Sequence, residues 1–206
     1  MPLMLRFLFI ILLATLFIGC CTSGLNKRQP EPADEPTIGW DPSTGHGQWE
    51  DCDGDIGNHA CNFKFLDQHG STWELYDHYG DIIILDFSTA WCGACMGAAV
   101  TVQEFQDKYG PENVIWVTVL LQDVYGQLPT VYHADEWAKA FGIKTSPVLV
   151  ANKDIFPIVS DEGYGVSSLP TIVIIDRNMV NTHVMKGWNK LLLHSLMGEM
   201  LNSTSN

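Results

Sequence analysis

The sequence predicts a single α/β domain in which a mixed central sheet carries helices on both faces. Apolar runs of strand length alternate with segments whose apolar residues recur at helical spacing, in the order β, α, β, α, β, β, α. The chain has 206 residues. Without a leader and a linker about 160 remain, enough to bury one core without disulfide scaffolding. We place this domain at residues 46–206.

The first nineteen residues predict a signal peptide, residues 1–19. Arg6 precedes the apolar run Phe7–Ile18, and two small residues follow, the second of which is Cys20. This run is short for a membrane span and typical of a secretory signal. The sequence around Cys20 resembles a bacterial lipobox, which makes Cys20 the candidate lipidation site. An uncleaved anchor helix over Leu3–Gly24 is the alternative.

Residues 20–45 predict a flexible tether that carries the lipid anchor. The segment is rich in proline and short polar residues, so it cannot bury enough apolar surface to offset the entropy of ordering. With either kind of anchor, the domain is expected in the bacterial cell envelope, facing the periplasm and attached to the lipid membrane.

The charge balance excludes one class of function. The formal net charge is −13 with only 11 lysines and arginines. No basic run interleaves with aromatic residues, as nucleic-acid binding would require. No nucleic-acid partner is therefore expected.

Cys52 and Cys61 lie nine positions apart at the start of the predicted domain. In an exported protein the simplest interpretation is a structural disulfide that fixes the N-terminal segment. Two alternatives remain open at this stage. One is a second redox pair. The other is a metal site, and its candidate ligands are His46, His59, Asp51, Asp53 and Asp55.

The predicted elements of the domain follow in order. Strands over residues 62–66 and 72–75 flank a turn, and an apolar strand over 82–87 leads to a helix over 96–109. Further elements are a strand over 114–121, a helix over 134–141, strands over 146–150, 170–176 and 180–186, and a closing helix over 191–201.

Between the strand over 82–87 and its helix lies the stretch Trp91-Cys92-Gly93-Ala94-Cys95. A cysteine at the start of a helix lies near unpaired backbone N–H groups, which favour the thiolate and lower the pKa. The second cysteine, three residues on, returns to the same face, so the two sulfurs can form a disulfide. A zinc knuckle is the alternative, but it needs two more ligands, and the sequence offers no second cluster.

The run Leu85-Asp86-Phe87-Ser88-Thr89-Ala90-Trp91-Cys92-Gly93-Ala94-Cys95, with Ser168-Leu169-Pro170-Thr171 downstream, resembles the thioredoxin superfamily. Within it the chain is similar to the TlpA/ResA-like, membrane-tethered proteins with an AhpC/TSA-Redoxin-like domain. The similar part runs from about residue 62 to 202. The resemblance implies a thioredoxin fold with an N-terminal β-hairpin and a central helix-strand insertion, and a thiol-disulfide oxidoreductase of the bacterial envelope.

The catalytic residues are then Cys92, Cys95 and Asp86. Cys92 would attack a disulfide and Cys95 would resolve the mixed disulfide, so the pair cycles between dithiol and disulfide. Asp86 lies in an otherwise apolar strand, where burial raises the pKa of a carboxyl group and equips it to exchange a proton with Cys95. A buried aspartate satisfied by local hydrogen bonds is the alternative.

Trp91, Leu169 and Pro170 are the candidate substrate-binding residues. From sequence alone Pro170 is expected to be trans, because cis bonds are rare even before proline. The resemblance implies instead a cis proline beside the cysteines, with the Leu169 backbone free to pair with substrate. Trp91 would line the groove, although packing alone would also explain a large aromatic.

The expected partners are protein thiols and disulfides, with apocytochrome c as one candidate, and a membrane-embedded electron donor. Neither a cofactor nor a metal is expected. Two other functions remain open. A thiol peroxidase is suggested by the Thr89-Ala90-Trp91-Cys92 pattern. A Sco-like copper-binding chaperone shares fold and tether, with His183 as its candidate distant ligand, but needs a wider cysteine spacing.

Overall fold

The computed structural model describes residues 52–152, 154–160 and 163–203. The predicted signal peptide, tether and lipidation site at Cys20 lie outside the described residues, as do residues 46–51 of the predicted domain. Within the described ranges, every helix is too short or too polar to cross a bilayer.

Seven strands form one mixed sheet in the order β2-β1-β5-β4-β3-β6-β7. Their bounds are β1 Lys64–Leu66, β2 Thr72–Glu74, β3 Ile82–Ser88, β4 Val114–Leu120, β5 Val148–Val150, β6 Thr171–Ile175 and β7 Asn181–Lys186. The central strand β3 pairs parallel with β4 and antiparallel with β6. The predicted α/β class with a mixed central sheet is confirmed.

Strand β3 is buried along its whole length because both faces of the sheet are covered. Side chains alternate across a strand. Ile82 and Ile84 therefore enter one core cluster, with the helix that carries the cysteines. Ile83, Leu85 and Phe87 enter the other. This run, which is apolar except for Asp86 and the final Ser88, is typical of a central strand and explains why the sequence identifies β3.

The helices are α1 Gly93–Ala99, α2 Val102–Tyr109, α3 Val131–Phe141, α4 Ile155–Val159 and α5 Lys190–Ser203. Short 3-10 turns cover Leu75–His78 and Gly110–Glu112. The single helix predicted over 96–109 is two helices, α1 and α2. At the break, the Thr101 hydroxyl and backbone N–H both donate to the Ala98 carbonyl, at 2.7 and 2.9 Å. This local bonding competes with a continuous helix.

The hairpin and the insertion are both present. β1 and β2 pair antiparallel. Helix α3 ends at Gly142, whose φ of 68° needs a residue without a Cβ, and β5 then joins the sheet between β4 and β1. Helix α4 lies in a stretch that the sequence analysis left without an element.

Candidate active site

The two cysteines of the Trp91–Cys95 stretch lie at the start of α1 and are bonded to each other. Cys92 caps the helix with an extended backbone, and its Sγ accepts the Cys95 N–H at 3.2 Å. Cys92 is 8% exposed, whereas Cys95 is fully buried. The outer sulfur is therefore the one that a disulfide can reach, and a backbone N–H is in place to favour its thiolate.

Asp86 lies beneath the cysteines, on the face of β3 that α1 covers. It shares a face of the strand with Ile82 and Ile84, which belong to the same core cluster as Cys92 and Cys95. The carboxylate accepts the Ser88 hydroxyl at 2.7 Å. It is completely buried, and desolvation raises its pKa to about 6.

Three neighbours act in the opposite direction and lower the pKa of Asp86: Ser88, Trp116 and Thr118. The Thr118 hydroxyl is 3.5 Å away, at the limit of a hydrogen bond. The Trp116 indole N–H has no hydrogen-bond partner of ordinary geometry among the described residues, so we assign its effect to the N–H dipole. Desolvation remains the larger effect, and Asp86 can therefore exchange a proton near neutral pH.

The peptide bond between Leu169 and Pro170 is cis. The Pro170 carbonyl accepts the Gly187 N–H at 2.7 Å, which fixes the start of β6. Among the described residues, no backbone hydrogen bond involves the N–H or carbonyl of Leu169. Both groups are therefore available to an extended chain laid beside them.

Trp91 is 52% exposed, and its indole N–H donates to the Gln122 side chain at 2.9 Å. The Gln122 carbonyl in turn accepts the Ala90 N–H at 3.0 Å. Gln122 thus holds the ring next to Cys92. The sequence analysis did not identify Gln122, since a partner thirty-one positions away leaves no local signal.

A groove of about 660 Å³ opens beside Cys92. Its walls come from three segments: the turn 89–92, the loop 121–128, and α4 with residues 166–169. Phe156 and Leu128 at the walls are 62% and 47% exposed. No charged residue lines the groove among the described residues, so it suits an uncharged, apolar occupant. The sequence analysis expected Trp91 and Leu169 at a groove, but it did not identify the walls formed by α4 and the loop 121–128.

Thr89 also lines this groove. It is 1% exposed, and its hydroxyl has no hydrogen-bond partner among the described residues. The Cys92 N–H donates to the Thr89 carbonyl at 3.2 Å, so the two residues share one tight turn. An unpaired buried hydroxyl is costly unless a further group completes it.

Cys52 and Cys61 are bonded to each other and do not line the groove. The Asp53 carboxylate in the loop between them accepts the Asp55 N–H and the Asn58 side chain, both at 2.8 Å. His46 and Asp51 lie outside the described residues. Of the residues that the structure does describe, no three His, Cys, Asp or Glu side chains gather as a metal site would need.

The structure thus places Cys92 and Cys95 in one core cluster and Asp86 on the face of β3 that this cluster covers. Trp91 and Leu169 lie in the groove wall, and the second disulfide lies elsewhere. A pair of disulfide-bonded cysteines at the start of a helix and a downstream cis proline, on a mixed sheet, define a protein of the thioredoxin superfamily. The model of the AhpC/TSA family matches residues 56–183. The chain belongs to the AhpC/TSA family.

Two proteins of known annotation are similar to parts of the chain. The thiol-disulfide oxidoreductase ResA of Geobacillus thermodenitrificans is 27% identical over 123 residues, which are 60% of this chain and 64% of that protein. The chain thus spans less than two thirds of the length of that relative. A thioredoxin of Coprinus comatus is 40% identical over 40 residues, 19% of this chain and 38% of that protein.

Among solved structures, one from Chlorobium tepidum, assigned as the thiol:disulfide interchange protein DsbE, superposes with a TM-score of 0.58 at 25% identity. The match covers 72% of this chain and 96% of that chain. The shared fold therefore extends over nearly all of the DsbE structure.

Proposed function

We propose that the chain is a thiol-disulfide oxidoreductase that reduces disulfides in polypeptides through Cys92 and Cys95. The observation that carries the proposal is the arrangement of the two cysteines and the buried acid at the start of α1. Cys92 faces a groove, Cys95 lies buried behind it, and Asp86 lies beneath on the same face of the sheet. The similarity to ResA and to the DsbE structure supports the same chemistry.

The reaction begins from the dithiol. The Cys92 thiolate attacks one sulfur of the substrate disulfide, which forms a Cys92–substrate bond and releases the other substrate sulfur as a thiolate. Cys95 then loses its proton to Asp86 and attacks the Cys92 sulfur. The second substrate thiolate leaves, and the Cys92–Cys95 disulfide remains. Two electrons have passed to the substrate, whose thiolates take up two protons.

The groove supports a polypeptide as the substrate. Its apolar, uncharged walls can accept side chains next to the substrate cysteine, and the unpaired Leu169 backbone can hold the main chain. Trp91, Leu169 and Pro170 are the substrate-binding residues in this proposal. Apocytochrome c is one candidate among such substrates.

The cellular setting is part of the same proposal. The leader over residues 1–19 and Cys20 favour a lipid-anchored protein of the bacterial cell envelope whose domain faces the periplasm. Turnover there needs a source of electrons, so we infer a membrane-embedded donor that reduces Cys92–Cys95. No cofactor or metal takes part in the steps above.

The sharpest test is capture of the mixed disulfide. With Cys95→Ser the second step is blocked, so incubation with a disulfide-containing polypeptide should leave a covalent adduct at Cys92, detected by mass spectrometry and released by dithiothreitol. The control, Cys92→Ser, should form none. Failure of Cys95→Ser to accumulate any adduct would contradict the proposal.

Thr89 favours a second candidate, a thiol peroxidase. Its unpaired buried hydroxyl beside Cys92 could donate to a peroxide oxygen. The Cys92 thiolate would attack the O–O bond and become a sulfenic acid with release of water or alcohol. Cys95 would then condense with it and release a second water. Hydrogen peroxide added to the dithiol form tests this: oxidation lost in Thr89→Val but kept in Thr89→Ser would favour the peroxidase.

The copper-chaperone alternative gains no support from geometry. His183 lies on β7, opposite Ile174, and its Nδ1 is 3.1 Å from the Thr182 hydroxyl. Titration of the dithiol form with Cu(I) separates the functions. A chaperone should lose affinity in His183→Ala, whereas an oxidoreductase should bind through its thiolates only.

A further inference from the structure

The groove wall formed by α4 rests on the backbone of Gly163. A Cβ atom at Gly163 would overlap the Ile158 carbonyl group and stand 2.5 Å from the Pro157 carbonyl oxygen. The next residue, Tyr164, donates its N–H to the Ile158 carbonyl at 2.8 Å. The last turn of α4 is therefore in direct contact with Gly163. Because the two backbones are closely packed, the position of Gly163 constrains the position of α4.

The opposite side of Gly163 touches the loop closed by the second disulfide, Cys52–Cys61, which we call the disulfide loop. A Cβ at Gly54 in this loop would overlap the Gly163 carbonyl group and stand 2.5 Å from Tyr164 Cα. Gly54 is buried. Two glycines thus let three stretches of backbone stack: the disulfide loop, Gly163 and α4.

The disulfide loop is itself fixed to the sheet. The Ala60 N–H donates to the Met179 carbonyl, the Gly57 N–H donates to the Asn181 carbonyl, and the Asn181 side chain donates to the Asp53 carbonyl, each at 2.8 Å. These bonds join the loop to the turn before β7 and to the first residue of β7. The loop can therefore act as a fixed support for Gly163.

Tyr164 adds a second connection from this support to the active-site strand. Its ring packs against Phe87 of β3 with the centroids 5.4 Å apart, and the side chain is 6% exposed. Phe87 is the residue directly after Asp86. The support is thus continuous from the disulfide loop to the strand that carries the buried acid.

We propose that the disulfide loop is a positioning element for the groove. By holding Gly163, it keeps α4 in place, so that Ile155 and Phe156 stand where they contact an apolar side chain beside the substrate cysteine. Loss of the support weakens binding of polypeptide disulfides and leaves the chemistry at Cys92 unchanged. This inference rests on the proposed function and assigns Cys52–Cys61 a role in binding that extends beyond stability.

Two variants of the full chain test it. Gly54→Ala separates the loop from Gly163 and keeps the disulfide, whereas Cys52→Ser/Cys61→Ser opens the loop. Gly198→Ala in α5 is the matched control, because a Cβ there meets nothing within 4 Å. Each protein receives one equivalent of dithiothreitol, and single-turnover reduction is followed at rising concentrations of a polypeptide disulfide and of a small aromatic disulfide.

Both variants should raise the apparent KM for the polypeptide at least ~5-fold, with the maximal rate and the small-disulfide rate within about 2-fold of wild type. Gly198→Ala should match wild type. Amide exchange over residues 155–160 should become faster in both variants and stay unchanged in α5.

An unchanged KM, or equal losses with both substrates, would overturn the inference. If wild type reduces neither disulfide, the proposed function fails instead. Amide exchange then still decides whether the loop positions α4, since unchanged exchange in both variants would contradict it.

Discussion

The described part of the chain contains two disulfides whose surroundings differ. Cys92 and Cys95 are three positions apart at a helix start, with a backbone N–H on the outer sulfur and a groove beside it. Cys52 and Cys61 are nine positions apart and close a loop that is hydrogen-bonded to Met179 and to the start of β7.

The difference shows that the surroundings of a disulfide decide its role. In the proposed cycle the Cys95 N–H favours the Cys92 thiolate and Asp86 takes the Cys95 proton, so we expect the first pair to open and close readily. The second pair does not line the groove, and opening it would free a loop that the disulfide constrains. We therefore expect one pair to react and the other to hold structure in place.

The largest expected difference between the pairs is in the reduction of a small aromatic disulfide. Cys92→Ser removes the attacking sulfur and should lower the rate by ~10³-fold or more. Cys52→Ser/Cys61→Ser should stay within about 2-fold of wild type, because a small substrate does not need the groove wall. Stopped-flow absorbance measures both rates. A comparable loss in the double variant would erase the distinction between the two pairs.

The second prediction concerns the acid that only the first pair possesses. Asp86→Asn removes the group that takes the Cys95 proton, so resolution of the mixed disulfide should slow by ~10²-fold at pH 7. In wild type the rate should rise with pH as Asp86 ionises, near its raised pKa of about 6, and the variant should lack this limb. Acid quenching and mass spectrometry measure the mixed disulfide. An unchanged pH profile in Asp86→Asn would remove Asp86 from the mechanism.

The third prediction sharpens the structural role of the second pair. Cys52→Ser/Cys61→Ser frees a short loop in the folded chain and relaxes the unfolded one, so the free energy of unfolding should fall by about 2 to 3 kcal/mol. Urea denaturation of the oxidised proteins measures it. If the double variant is as stable as wild type, the second disulfide has no structural role.

The fourth prediction concerns the free energy of unfolding. The protein should lose stability when the buried carboxyl group of Asp86 ionises. Burial raises its pKa from 3.8 to about 6, so the folded state holds the proton more tightly than the unfolded state. Stability from this group is therefore full below the unfolded pKa and is lost as pH rises to about 6 and beyond. Asp86→Asn should stabilise the oxidised protein by about 3 kcal/mol at pH 8, and the gain should vanish below about pH 4.

Asp123 provides the control of opposite sign. The Gln127 and Tyr125 N–H groups hold the pKa of Asp123 below its ordinary value. Its stabilisation is present above the unfolded pKa and is lost as pH falls through the folded pKa. Asp123→Asn should therefore destabilise at pH 8, and the loss should shrink in acid. Shifts in the same direction for both variants would contradict the assigned causes.

The sequence predicts the first pair and its strand well because their signals are local. The largely apolar run of β3, the two cysteines and the Gly142 that follows α3 lie within short windows. The buried face of the closing helix is harder to predict, since three consecutive leucines do not show which of them faces the core. Leu192 is 43% exposed, whereas Leu193 and Met197 are fully buried.

The sequence did not predict α4 or its contact with the disulfide loop, for a different reason. Helix α4 lies in a stretch with proline and glycine, where the hydrophobic period is too short to show. The contact between Gly54 and Gly163 joins residues more than a hundred positions apart, and no local pattern records it. Tertiary contacts of this kind determine the position of the groove wall. The cysteine pair, in contrast, is recognised from a few consecutive residues.

Separate redox titration of the two disulfides tests the central claim most directly. The full chain is equilibrated in glutathione and then dithiothreitol buffers, trapped with a thiol reagent and digested, so that mass spectrometry reports each pair. We predict that Cys92–Cys95 is reduced first, at a potential at least ~60 mV above that of Cys52–Cys61. Coincident transitions, or prior reduction of Cys52–Cys61, would contradict the division into a reactive and a supporting disulfide.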